Sequence, residues 1–95
     1  MEIEVNANFK LTGIFDPPTR VFLDGKKITL KKLLERLDAM WDSVHILRDG
    51  DLSDDIEELC VNGRRHFFLP NRLETPLKNK DEVWIELYMA PLGGG

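Results

Sequence analysis

The chain has 95 residues, enough for one domain with a single core and too few for a second domain. Its composition, 42% hydrophobic and 32% charged, excludes disorder throughout. A net charge of −4 argues against nucleic acid as the main partner, because phosphate binding wants a basic surface.

Cysteine usage narrows the chemistry further. Cys60 is the single cysteine, so no disulfide forms within the chain and a cysteine zinc site or iron–sulfur cluster lacks ligands. It lies in the apolar run Leu59-Cys60-Val61 and reads as a buried structural thiol. Met1-Glu2-Ile3-Glu4-Val5 is not a signal peptide, and no apolar run approaches the ~18 residues of a membrane span. The expected location is the cytoplasm, with no membrane partner.

The first predicted element runs from Glu2 to Leu11. Ile3, Val5, Ala7, Phe9 and Leu11 alternate with Glu2, Glu4, Asn6, Asn8 and Lys10, the pattern of a strand with one buried face. Gly13 to Thr19 contains Asp16-Pro17-Pro18 and reads as a loop. Val21-Phe22-Leu23 is a second strand, turned by Asp24-Gly25. Thr29 then caps a predicted helix over Leu30 to Met40. Its stripe of Leu30, Leu33, Leu34 and Leu37, continued by Met40 or Trp41, falls on one helix face. Lys31, Lys32, Glu35, Arg36 and Asp38 take the other side.

The stretch from Asp42 to Asp55 is less regular. Val44, Ile46 and Leu47 form a short strand or pack under a loop, and Asp49-Gly50-Asp51 turns the chain. Asp49, Asp51, Asp54 and Asp55 do not match the calcium-loop spacing. Leu59-Cys60-Val61 is a short strand ending in Asn62-Gly63, a strong hairpin signal, with His66-Phe67-Phe68-Leu69 as its expected partner. After a turn-rich link, the last strand runs from Val83 to Met89. Val83, Ile85, Leu87 and Met89 share one face; Trp84, Glu86 and Tyr88 share the other.

The expected fold class is α+β, with one main helix on a mixed sheet of four or five strands. First and last strands lying adjacent and parallel, crossed over by the helix, would make a β-grasp, ubiquitin-like domain over 1–90. Residues 91–95, Pro91-Leu92-Gly93-Gly94-Gly95, form the expected tail. A glycine run has no side chains and can thread a narrow channel. Its α-carboxylate is an anion near neutral pH and can attack an activated phosphate. The plain alternative is a frayed end or a cloning scar.

Three stretches carry a resemblance. Val21-Phe22-Leu23-Asp24-Gly25 followed by Thr29-Leu30-Lys31-Lys32-Leu33-Leu34-Glu35-Arg36-Leu37 is one. Val61-Asn62-Gly63 with Thr75-Pro76-Leu77 and Asp81-Glu82-Val83 is the second, and Pro91-Leu92-Gly93-Gly94-Gly95 the third. Together they resemble the sulfur carriers of the molybdopterin-synthase small-subunit and thiamine-biosynthesis type (MoaD/ThiS). The chain departs from that pattern at Lys80, where the family often has glycine, in its third terminal glycine, and in the long acidic stretch from Asp42 to Asp55.

The resemblance implies a carrier rather than an enzyme. An adenylyltransferase of the ubiquitin-activating type would join the Gly95 carboxylate to the α-phosphate of ATP, and a persulfide sulfur would convert the adenylate to a thiocarboxylate. A downstream synthase or other acceptor in cofactor or metabolite biosynthesis, such as that of molybdopterin, would then receive the sulfur. No cofactor would be held; ATP would be used by the partner. Gly93 and Gly94 would give the channel its clearance. Trp84, Tyr88, Met89, Leu92 and Phe68 are the candidate partner-binding residues, set against the alternative that a loop covers the aromatics. Two rival functions remain open at this level: a ubiquitin-like modifier conjugated to lysines through Gly95, and a plain interaction domain with an inert tail. No nucleophile motif surrounds His45 or His66.

Overall fold

The fold is seen in a computed structural model, which describes residues 1–88. The expected roles of Met89, Leu92 and Gly93 to Gly95, and the domain boundary at residue 90, lie outside the described residues. In chain order the elements are β1 (Glu2–Ala7), β2 (Thr19–Phe22), α1 (Leu30–Met40), β3 (Leu47–Arg48), β4 (Asp51–Leu52), β5 (Ile56–Val61), β6 (Arg64–Arg65) and β7 (Glu82–Leu87). Five strands form one mixed sheet in the order β2-β1-β7-β5-β6, and β3 pairs with β4 in a separate ribbon. β1 and β7 are adjacent, central and parallel. This is the β-grasp arrangement: two hairpin-like arms joined through a parallel central pair, with one helix across the sheet.

Helix α1 forms as its residues dictate. The Thr29 hydroxyl accepts a hydrogen bond from the Lys32 amide at 3.2 Å, satisfying one of the free first-turn donors. Leu30, Leu33, Leu34 and Leu37 are all buried. They pack into one core with Ile3, Val5, Val21, Leu59, Val83 and Ile85 from the sheet. Leu34 is fully buried, so Leu34→Ala is expected to cost about 2–5 kcal/mol, read as a lower urea midpoint at unchanged slope. A loss well under 1 kcal/mol would contradict this packing.

Two elements are shorter than their sequence patterns. The alternation in β1 continues to Leu11, but pairing stops at Ala7. There the Asn8 side chain accepts from the Leu87 amide (3.0 Å) and donates to the Leu87 carbonyl (3.2 Å), taking over the ladder groups of β7. Phe9, released from the sheet, packs against Phe15 and edge-on against Trp41. β7 likewise ends at Leu87, and the Tyr88 amide donates to the Asp55 carbonyl.

The second hairpin departs from expectation. Asn62 (φ 51°) and Gly63 (φ 83°) make the two-residue turn, but its returning strand is Arg64–Arg65. A two-residue turn pairs its flanking residues at once, so Val61 meets Arg64 and Cys60 meets Arg65. His66–Phe68, the stretch expected to pair, is instead a single 3-10 turn. Between α1 and β5, Val44 and Ile46 join the core, and the Asp38 carboxylate accepts from the Ile46 amide at 2.9 Å. Lys80 adopts φ 76°, the left-handed conformation that favours glycine, and its ammonium reaches Glu2 at 3.0 Å.

Candidate partner-docking face

The sheet has two faces, and α1 covers only one. Strand parity sends Val83 and Ile85 to the helix side and Glu82, Trp84 and Glu86 to the open side. Trp84 stands opposite Asn6 on β1 and opposite Cys60 on β5, so it occupies the middle rung of the central strand. It is half-buried, while Cys60 beside it is buried. Burial pushes the Cys60 thiol above its ordinary pKa, with Glu58 acting in the same direction. That makes it a poor nucleophile at neutral pH.

The sequence-predicted docking residues distribute unevenly. Trp84 lies on the open face. Tyr88, 64% exposed, follows the end of β7. Phe68, 72% exposed, is carried by the 3-10 turn after β6 rather than by a strand. Sequence reading missed Phe67, which is 65% exposed and packs against His66 at a centroid distance of 4.1 Å with the rings tilted by 36°. Phe67, Glu57, Glu58, Arg65, His66 and Glu86 surround a shallow hollow of about 190 Å³ beside the open face. The signal that could have found Phe67 is the Asn-Gly turn: it fixes the strand end at Arg65 and leaves both phenylalanines beyond the ladder.

Charges on the open face are mostly acidic. Glu2 is anchored by Lys80 (3.0 Å) and Arg20 (3.6 Å), and the Lys80 hydrogen bond holds its carboxyl below the usual range. Glu58 is paired with Arg65. Glu4, Glu82 and Glu86 have no salt-bridge partner among the described residues.

His66 is buried, and burial holds its pKa below the ordinary imidazole value, a shift partly offset by a hydrogen bond with the Leu59 backbone. The unfolded chain therefore takes up this proton more readily than the folded one. Nothing is lost above the ordinary pKa; stability falls as pH drops through about 6.5 toward the folded value. Urea unfolding at stepped pH is expected to show that His66→Asn flattens the loss between about pH 7 and about pH 5. An unchanged slope would exclude His66 as its source.

Among the described residues no group of three His, Cys, Asp or Glu side chains could hold a metal ion, and no helix is long and apolar enough to cross a membrane.

No protein-family model matches the chain, and no curated protein matches it. Solved structures do. The crystal structure of SAMP1 from Haloferax volcanii aligns with a TM-score of 0.65 at 22% identity, covering 100% of both chains. The solution structure of the Haloferax volcanii HVO 2177 protein aligns with a TM-score of 0.65 at 22% identity, over 95% of this chain and 85% of that one. The likeness shows a shared β-grasp fold.

Proposed function

We propose that this protein is a sulfur carrier activated at its terminal glycine. The observation that carries the reading is the direction of the central strand. β7 runs through the middle of the sheet and ends at Leu87, a few residues before Pro91-Leu92-Gly93-Gly94-Gly95 in the sequence, with Trp84 on the face that α1 leaves open. A partner that grips this face is positioned to receive the chain that leaves β7. The MoaD/ThiS resemblance in sequence and the β-grasp fold shared with SAMP1 support the same reading.

The chemistry resides in the end of the chain and in its partners. The Gly95 carboxylate attacks the α-phosphate of ATP and expels pyrophosphate, giving a mixed anhydride. The terminal sulfur of a persulfide displaces AMP, and a thiol reductant cleaves the resulting S–S bond to leave the thiocarboxylate. Glycine suits the site because a Cβ would crowd the channel that brings the carboxyl to the nucleotide. Fixing a glycine segment in such a channel costs roughly 1–2 kcal/mol per residue ordered, which docking of the folded domain must offset.

Trp84 is the anchor of that docking. Trp84→Ala is expected to weaken binding to the activating adenylyltransferase by on the order of 30-fold or more, the loss typical of a central interface aromatic. Its fold should persist, since the residue is half-buried and outside the main core. Unfolding of the variant, or undiminished binding, would remove Trp84 from the interface. Intact mass spectrometry of the protein from its native cell tests the acceptor. Replacement of one terminal oxygen by sulfur supports the carrier; adducts through lysine amines would instead identify a modifier.

A further inference from the structure

The sheet contains two rungs that oppose like charges. Glu4 on β1 is the register partner of Glu82 on β7, and Glu58 on β5 is the register partner of Glu86 on β7. Residues directly opposite on one face are close neighbours, and like charges there are destabilising. The two rungs flank Trp84 on either side along β7. Arg65 relieves the second rung from the Glu58 side only. Arg20, register partner of Glu4 across β1–β2, reaches Glu2 instead. The first rung also borders a hollow of about 180 Å³ lined by Glu2, Glu4, Arg20, Lys80 and Glu82, whose two cations are both engaged by Glu2.

Such opposition works against the fold, and local conflicts of this kind concentrate where function imposes them. An approaching cation would remove it. We propose that the open face accepts a protein surface with an apolar centre and a basic rim, the centre seated on Trp84 and the rim contributing arginine or lysine side chains to Glu4, Glu82 and Glu86. This rests on the docking reading given above and adds the chemistry of the partner. The carboxylates act chiefly on encounter: rim charges steer association, whereas the buried aromatic governs dissociation. The chain's net charge of −4 acts in the same direction at longer range.

The two tryptophans provide a test that needs no partner. Trp41 is 1% exposed and Trp84 half-buried, so ionic quenchers report on Trp84. Quenching by cesium is expected to exceed quenching by iodide, each scaled to free N-acetyltryptophanamide. The double variant Glu82→Gln, Glu86→Gln should bring the two together. Equal quenching of the unaltered protein would show that no negative field surrounds Trp84 and would overturn the proposal.

Binding to the activating adenylyltransferase, followed by stopped-flow across a salt series, supplies the second arm. The double variant should fold at least as stably as the parent, because like-charge rungs have been relieved. It should nonetheless associate more slowly at low salt, by on the order of tenfold, with a shallower salt dependence. A merely structural role would not separate stability from association in this way. If association and salt slope are unchanged while Trp84→Ala still weakens binding, the docking face stands and the basic rim is wrong. If Trp84→Ala also has no effect, both fail together.

Discussion

Deletion of Gly94 and Gly95 is expected to abolish ATP–pyrophosphate exchange with the activating adenylyltransferase while leaving the unfolding midpoint unchanged. The two halves of that expectation have separate causes. Exchange requires a carboxylate at the α-phosphate, and removing two residues shortens the maximum reach of the chain by about 7 Å. A near-attack geometry tolerates far less, since misplacement of about 1 Å can cost about 100-fold. Stability should be insensitive because the central strand ends at Leu87 and its fully buried core residues are Val83 and Ile85. Appending residues after Gly95 should block exchange equally, by removing the free carboxylate. Undiminished exchange by the shortened protein would falsify the carrier reading and return the glycines to an inert end.

Much of this architecture was legible wherever a local pattern and a local polar signal agreed. Thr29 followed by the leucine stripe located α1 and its burial, because cap and periodicity act within a few residues. The Asn62-Gly63 turn was legible for the same reason. Its partner strand was not: His66 to Leu69 looked more strand-like than Arg64–Arg65, but turn geometry set the register and hydrophobicity did not. The end of β1 was hidden too, since the alternation continued and only the Asn8–Leu87 hydrogen bonds, 79 positions apart, stop the ladder.

The docking face divides along the same line. Strand parity put Trp84 opposite the core from sequence alone. The opposed carboxylates could not be read that way, because Glu4 and Glu82 become neighbours only through the parallel β1–β7 pairing. Lys80 shows an intermediate case. Its departure from the glycine common in the MoaD/ThiS pattern was visible in sequence, and the structure gives it meaning: the backbone there adopts φ 76°, and the side chain is tied to Glu2.

The tryptophans should respond to truncation in opposite ways, and Trp41→Ala should produce the largest stability loss in the molecule. Trp41 closes α1, where its amide donates to the Leu37 carbonyl at 2.9 Å. Its ring is 1% exposed and meets Phe15 at 4.6 Å and Phe9 at 5.5 Å, centroid to centroid. Phe9 and Phe15 belong to the segment between β1 and β2, so the trio fastens that segment to the end of α1. Burial of so large a side chain implies about 3–5 kcal/mol on truncation to alanine. Loss of the two aromatic contacts adds roughly 0.5–1.5 kcal/mol each where the neighbours cannot collapse. A domain of this size has about 5–15 kcal/mol in total, so the variant should be partly unfolded at 37 °C or close to it. Trp41→Phe should recover most of the loss by retaining a ring between Phe9 and Phe15. Trp84→Ala, by contrast, should unfold at a midpoint near the parent's, because its neighbours lie on the open face. Thermal and urea unfolding of the three variants decide the matter. Equal losses for Trp41→Ala and Trp84→Ala would mean that the open face is as much a part of the core as the helix side, and the assignment of Trp84 to docking would be lost with it.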